Sequence, residues 1–273
     1  MSTPNVRAYY EYRDDRPAEL QIDEGESLTF PPHLHSDLEL FLVQSGCIRV
    51  MVGDAFSELT ENSLAVVFPN TIHSYTSLTP GSRFSMAVCR QSLWGNFLSQ
   101  LTHSRPVCPF LSGDDLHPDI PYAMHGLFLQ EQEGPDNTIY RALVQLILAR
   151  ALSRMQLEPV KEPTSTDLTV RLVQYLARNF QQPLSLDSLA KALNVSKYHL
   201  SHVFSSRLHT SFSEYLHFLR LNAARELLRT TNQSILEIGL NCGFSSQRTF
   251  NRVFQQHFGI SPRDFRSQNK AGL

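Results

Sequence analysis

The last third of the chain repeats itself, and a repeat limits the possible folds more than any composition can. From Leu189 the sequence reads LAKALNVSKYHLSHVF, and from Ile238 it reads IGLNCGFSSQRTFNRVF. Aligned from those residues, Ala190 meets Gly239, Asn194 meets Gly243, Val195 meets Phe244 and Ser196 meets Ser245. One residue is then added in the second copy, after which Leu200 meets Phe250, Val203 meets Val253 and Phe204 meets Phe254. The new offset continues to Ser211 with Ser261 and Tyr215 with Phe265. Each copy reads as helix, tight turn, helix. The turn needs a residue that tolerates a left-handed backbone, and Asn194 and Gly243 suit it. The small residues Ala190 and Gly239 let the two helices of a copy approach closely. This is the pattern of a helix-turn-helix, present twice.

Helix starts in this region are marked by their caps. Ser211 precedes Glu214 by three residues and Ser234 precedes Glu237 by three, both at capping-box spacing. Ser261-Pro262 sets a capping hydroxyl before a proline at the first helical position. The second helix of each copy has two faces. Leu200, Val203 and Phe204 form the apolar side of the first, Phe250, Val253 and Phe254 that of the second. The opposite sides carry Tyr198, Ser201, His202 and Ser205, and Gln247, Arg248, Asn251, Arg252 and Gln255, with no Asp or Glu on either. An ordinary surface helix is also polar outside, but it mixes both signs of charge. A face of Arg, Gln, Asn, Ser, Tyr and His suits phosphates and base edges, with Arg matched to guanine and Asn or Gln to adenine. The net charge of −2 conceals an asymmetry in the same direction. Residues 165–273 hold 13 Lys and Arg against 6 Asp and Glu, whereas residues 1–164 hold 11 against 20. A basic half joined to an acidic half suggests a polyanionic partner for the basic one.

The run GFSS…F…F…FGISP..FR, with YLHFLRLNAARELL before it, resembles the DNA-binding domain of the AraC family of bacterial transcription regulators. The likeness spans residues 167–270. It implies a long helix over Phe212 to Thr230 joining the two motifs. It also implies recognition helices in successive major-groove faces, about one helical turn (~34 Å) apart. Carried over by position, the DNA-contact set is Ser196, Lys197, Tyr198, Ser201 and His202 in the first motif, and Ser246, Gln247, Arg248, Asn251 and Arg252 in the second. His209 replaces the glycine usual in the family before the long helix, and Gly239 replaces the usual alanine. Promoter DNA and RNA polymerase are the partners this resemblance implies, and activation of transcription is the output it favours.

The first part of the chain, to about Ser112, reads as strands. LELFLVQ (Leu38 to Gln44), CIRVMV (Cys47 to Val52), SLAVVFP, HSYTSL and RFSMAVC are short, apolar or β-branched runs. Gly46 and Gly53-Asp54 offer turns between them. Short strands with turns every ~8–12 residues indicate a sandwich or barrel. A helical segment follows over Ile139 to Leu157, with Ile139, Leu143, Leu146, Ile147, Arg150, Ala151 and Met155 on one stripe. That stripe suits either packing on its own domain or a homodimer seam, since periodicity does not identify the partner. EPVKEPTST (Glu158 to Thr166) then reads as an exposed linker. The expected organisation is therefore an α+β two-domain chain. Residues 1–157 form a cupin-like β-barrel with a helical dimerisation segment, 158–166 a linker, and 167–273 an all-α double helix-turn-helix. The polar start MSTPNVRAYYEYRDD lacks the features of a signal peptide, no run of ~18 apolar residues spans a membrane, and four scattered cysteines fit a reducing cytoplasm.

One stretch of the N-terminal half carries metal-ligand chemistry. HLHSDLE places His33, His35 and Glu39 together, Gly46 follows, and PNTIH adds His73. These resemble the two motifs of a cupin barrel, in which such side chains converge inside the barrel. Asn70-Thr71 departs from the glycine common after the proline of the second motif. Three nitrogen donors and one oxygen donor suit a divalent transition metal such as Zn, Fe, Ni, Cu or Mn. The same four side chains also suit an effector pocket that hydrogen-bonds a small molecule directly, or a self-satisfied structural cluster. The rival from another class is a metal-dependent cupin enzyme, a dioxygenase or sugar isomerase, with an accessory basic domain. A binding module with no ligand of its own is the third. A doubled helix-turn-helix has no use in an enzyme, and no GxSxG nucleophile motif occurs, so a DNA-binding regulator answering to a small molecule is the expected function.

Overall fold

The computed structural model describes residues 19–160 and 168–270, which form two compact units. Most of the expected linker, residues 161–166, lies outside the described residues.

The first unit holds β1 (Leu20–Glu26), β2 (Thr29–His33), β3 (Leu38–Ser45), β4 (Cys47–Val52), β5 (Ala55–Thr60), β6 (Ser63–Val67), β7 (His73–Ser77) and β8 (Arg83–Cys89). Then come α1 (Leu98–His103), β9 (Ser104–Pro106), β10 (Phe110–Ser112), α2 (Asp119–Glu133), α3 (Asn137–Leu152) and β11 (Leu157–Pro159). Two antiparallel sheets form the barrel walls, ordered β1-β8-β3-β6-β10 and β2-β7-β4-β5. Strand β3 is central, and residues Leu38 to Val43 are all buried. A strand alternates its side chains between two faces. Leu38, Leu40 and Leu42 pack outward against Met124 and Leu127 of α2 and Val144, Ile147 and Leu148 of α3. Phe41 points inward and stacks on Tyr75 of β7 at 4.2 Å and Phe84 of β8 at 5.2 Å. Glu39 lies on this inner face too.

The expected helical segment differs from the observed one in extent. Helix α3 starts at an Asp136 cap, which accepts from the Thr138 and Ile139 amides, and ends at Leu152. Its buried face is Tyr140, Val144, Ile147, Leu148, Ala151 and Leu152. Ile147 and Ala151 of the expected stripe therefore serve the unit's own core, while Ile139 is exposed. Leu157 and Glu158 pair with Pro106 and Arg105 in a small sheet, so the start of the expected linker is folded. Helix α2 is absent from the sequence reading because Pro121 and Gly126 interrupt its pattern. Pro121 falls in the first turn, where no amide bond is lost. Gly126 leaves room for Leu143, whose Cδ1 would lie 3.3 Å from an added Cβ.

The second unit runs α4 (Leu168–Asn179), α5 (Leu186–Leu193), α6 (Lys197–Ser206), α7 (Phe212–Thr230), α8 (Ile235–Asn241), α9 (Gln247–Phe258) and α10 (Pro262–Lys270). The long joining helix has the expected bounds. Both capping boxes form: Ser211 and Glu214 bond reciprocally at 3.0 and 3.2 Å, Ser234 and Glu237 at 2.8 and 3.2 Å. Asn194 and Gly243 are left-handed, at φ 55° and 89°. The amides after them make matching bonds, Val195 to the Ala190 carbonyl and Phe244 to the Gly239 carbonyl, both at 3.0 Å. The caps of α6 and α9 are Ser196 and Ser246, so the residue added in the second copy is Ser245, in the turn. His209 sits at φ 48°, a backbone that explains a glycine preference there.

Two left-handed glycines of the first unit separate strain from crowding. Gly46 (φ +81°) would bring a Cβ to 2.8 Å from the Ser82 backbone, whereas Gly81 (φ +72°) has open space. Gly81→Ala should cost about 1–2 kcal/mol from the left-handed strain. Gly46→Ala should cost roughly 1–3 kcal/mol more from overpacking. Trp94, the one tryptophan, is buried in this unit and reports its urea unfolding. Equal midpoints for the two variants would contradict the assignment.

Candidate functional site

The sequence brought four side chains together on paper, and the fold does so in space. His33 ends β2, His35 lies in the connection to β3, Glu39 is the second residue of β3, and His73 opens β7. The cluster thus spans both sheets. Its candidate ligand atoms all lie within 4.8 Å of one another. His35, Glu39 and His73 are buried, while His33 is partly exposed.

Each histidine is oriented from behind. Nδ1 of His33 meets the Pro31 carbonyl at 3.0 Å, that of His35 the Asp37 carbonyl at 3.0 Å, and that of His73 the Thr71 carbonyl at 2.8 Å. A carbonyl accepts only, so Nδ1 carries the proton and a neutral ring turns the Nε2 lone pair into the cluster. There the Nε2 atoms of His35 and His73 lie 3.0 and 3.3 Å from the same oxygen, Oε2 of Glu39. Lone pairs facing a carboxylate need a shared cation or additional protons between them. Ligand atoms on a tetrahedral ion with bonds of about 2.0–2.1 Å stand about 3.3–3.4 Å apart, close to the separations observed. The residues therefore fit a transition-metal ion, held by three imidazoles and one carboxylate oxygen. The other oxygen, Oε1, accepts a short hydrogen bond from the Tyr75 phenol. Burial works to raise the Glu39 carboxyl, but with protons on Nε2 of His73 and His35 their charge and hydrogen bonds outweigh it and hold it well below the usual range. Burial, with His73 beside it, pushes the His33 imidazole well down, which keeps it neutral. Tyr75 carried no mark in the sequence as part of this set; its place two residues after His73, on the same face of β7, was the available signal.

The second candidate site is the outer surface of α6 and α9. All ten expected contact residues are exposed, and Tyr198 is 85% exposed despite its size, so it has no packing role. Each apolar face is buried as expected: Leu200, Val203 and Phe204 under α6, Phe250, Val253 and Phe254 under α9. The hydroxyls of Ser196 and Ser246 accept from the His199 and Thr249 amides, so they serve first as caps. Lys197 is paired with Asp187 at 2.9 Å, and Arg252 donates to Gln256 at 3.2 Å. These are exposed contacts of small energy, readily exchanged for a phosphate or base.

Comparison with known proteins agrees with both halves. A family model described as an AraC-like ligand binding domain matches residues 18–157, and one described as a helix-turn-helix domain matches residues 189–268. The HTH-type transcriptional regulator ArgR of Pseudomonas aeruginosa is 39% identical over 100 residues, which are 37% of this chain and only 30% of that protein. The uncharacterized HTH-type transcriptional regulator YfiF of Bacillus subtilis is 28% identical over 255 residues, 87% of this chain and 79% of that protein. Among solved structures, ToxT from Vibrio cholerae aligns with a TM-score of 0.57 at 15% identity, over 91% of this chain and 98% of that one, a likeness of fold.

Removing the Tyr75 hydroxyl tests the geometry around Glu39. Tyr75→Phe keeps the stack on Phe41 but leaves a buried carboxylate oxygen without its donor. It should cost about 1–3 kcal/mol, read from the urea midpoint of Trp94 fluorescence. An unchanged midpoint would contradict the assigned bond.

Proposed function

The chain belongs to the AraC family, and from that premise we propose that it is a one-component transcription regulator. In this reading the second unit reads promoter DNA and the first unit holds the signal. The observation that carries the DNA reading is the pair of recognition helices, each with a fully exposed outer face free of acidic groups. Tyr198, Ser201 and His202, and Gln247, Arg248, Asn251 and Arg252, would contact bases, with Lys197 and the capped helix starts at Ser196 and Ser246 on phosphates. The first motif lacks Arg on its reading face, so the second contributes most of the discrimination.

The signal we assign to the His33, His35, Glu39 and His73 cluster is a divalent transition metal. The support is the convergence of the His35 and His73 Nε2 atoms on one Glu39 oxygen at ion-sized separations, with His33 in the same cluster of candidate ligand atoms within 4.8 Å of one another. An ion there would supply a positive charge opposite Glu39 and a bond between the two sheets. An organic effector held by the same groups would have to sit beside the stack of Phe41, Tyr75 and Phe84 on the inner face. The enzyme alternative requires open ligand positions reachable by substrate, and three of the four ligands are buried. The ligand would act by favouring one arrangement of the chain over another, a population shift.

The reading extends to a cytoplasmic homodimer that engages RNA polymerase and activates transcription. No described helix is long and apolar enough to cross a membrane. Support for a dimer is the exposure of three large apolar side chains, Tyr122 and Leu129 on α2 and Ile139 on α3.

Two measurements test these assignments. Elemental analysis of chain purified without chelator or affinity-tag metal should give about one metal ion per chain, lost in a His33→Ala/His35→Ala variant. No metal in either protein would overturn the metal reading and leave the DNA reading untouched. Arg252→Ala should remove about 1–3 kcal/mol of discrimination between a selected site and random DNA. Equal loss on both would contradict base reading by Arg252.

A further inference from the structure

Arg220 lies near the middle of the joining helix α7 and is buried, at 9% exposure. Its hydrogen bonds run to backbone carbonyls outside its own helix: Nε donates to Phe180 at 2.8 Å and Nη2 to Gln182 at 2.9 Å. Those carbonyls belong to the segment between α4 and α5, which ends at the Ser185 cap three residues later and so leads directly into the first helix-turn-helix. On its other side the guanidinium lies over the Phe244 ring, 5.9 Å from the centroid. Phe244 is in the turn of the second motif, two residues before the Ser246 cap of its recognition helix. Gly243, beside it, leaves no space for a side chain: an added Cβ would stand 2.6 Å from the Gln181 carbonyl oxygen and 2.9 Å from Arg220 Nε. The lead-in of the first motif and the turn of the second therefore touch directly, and one guanidinium joins them.

From this geometry we infer that Arg220 is a positioning residue for DNA reading: it fixes the spacing between the two recognition helices by binding the lead-in of the first motif and the turn of the second. Two parallel N–H donors on a planar group suit the task, because they bind two carbonyls while the flat face packs on a ring. Lysine carries the charge but offers neither the fork nor the plane. A base pair added between half-sites moves one of them by about 3.4 Å and rotates it around the duplex. A rigidly spaced pair of helices rejects such a site, and a loosened pair accepts it. Arg220 and Phe244 are not in the DNA-contact set, so the effect on spacing is separable from loss of a contact.

The test uses the full chain and the site it selects from a random DNA pool. Affinity is then measured on that site and on versions with one or two base pairs added between the half-sites. The native chain should lose about 10-fold or more on the first insertion, the scale of one misplaced contact. Arg220→Lys should bind the selected site more weakly, yet lose less than about 3-fold on insertion. Phe244→Leu, which keeps the turn apolar and removes the ring, should show the same relaxed ratio and covers the case in which the lysine variant folds poorly. A side chain needed only for stability would lower affinity by one factor on every spacing, and that result in both variants would overturn the inference. So would native spacing discrimination in both. The inference rests on the DNA-reading proposal, and a native chain that selects no sequence would defeat that proposal instead.

Discussion

A charge taken out of water costs several kcal/mol unless its new surroundings answer for it, and both units bury charged side chains among the described residues. In the first unit one is Glu39, placed on the inner face of a strand that is apolar on both sides. Its two oxygens are divided: one receives the Tyr75 phenol, the other faces His35 and His73. The histidines are in turn fixed by carbonyls behind them, so the orientation of the whole cluster is set by backbone. In the second unit one is Arg220, answered by two carbonyls and an aromatic face. Each group joins parts distant in sequence. Glu39 draws β3 to β7 across the barrel, and Arg220 draws the segment after α4 to the turn after α8. Removing either partner set would leave an uncompensated charge, so both joints are firmly specified.

Much of the second unit was legible in the sequence because its signals are local. A capping box needs only four residues, and a left-handed turn needs one, so Ser211, Ser234, Asn194 and Gly243 could be assigned without knowing the fold. The bounds of α7 followed from the family resemblance. The repeat placed the inserted residue one position late, because Ser245 and Ser246 are identical in type and only the cap geometry distinguishes them. The role of Arg220 was hidden, since its partners are backbone carbonyls about forty residues away and carbonyls leave no mark in a sequence.

In the first unit the five apolar strands were read correctly, whereas β1, with LQIDEGE, and β5, with AFSELT, are too polar to stand out. Edge and near-edge strands tolerate such residues because one side meets water. For α3, periodicity gave a helix but not its partner, and tertiary packing turned most of the stripe, Leu143, Leu146, Ile147, Ala151 and Met155, onto the unit's own core. The metal-ligand pattern survived folding intact: all four side chains meet. What the sequence lacked was Tyr75, the fifth member, which decides that Glu39 offers a single oxygen to the others.

The account as a whole stands on two recognition helices that read one duplex together from a single chain. Hydroxyl-radical footprinting of the purified protein on a site selected from random DNA tests this most directly. The account predicts two protected patches on one face of the duplex, about 10 base pairs apart, for each bound chain. A single patch per chain, or protection without a preferred sequence, would contradict it.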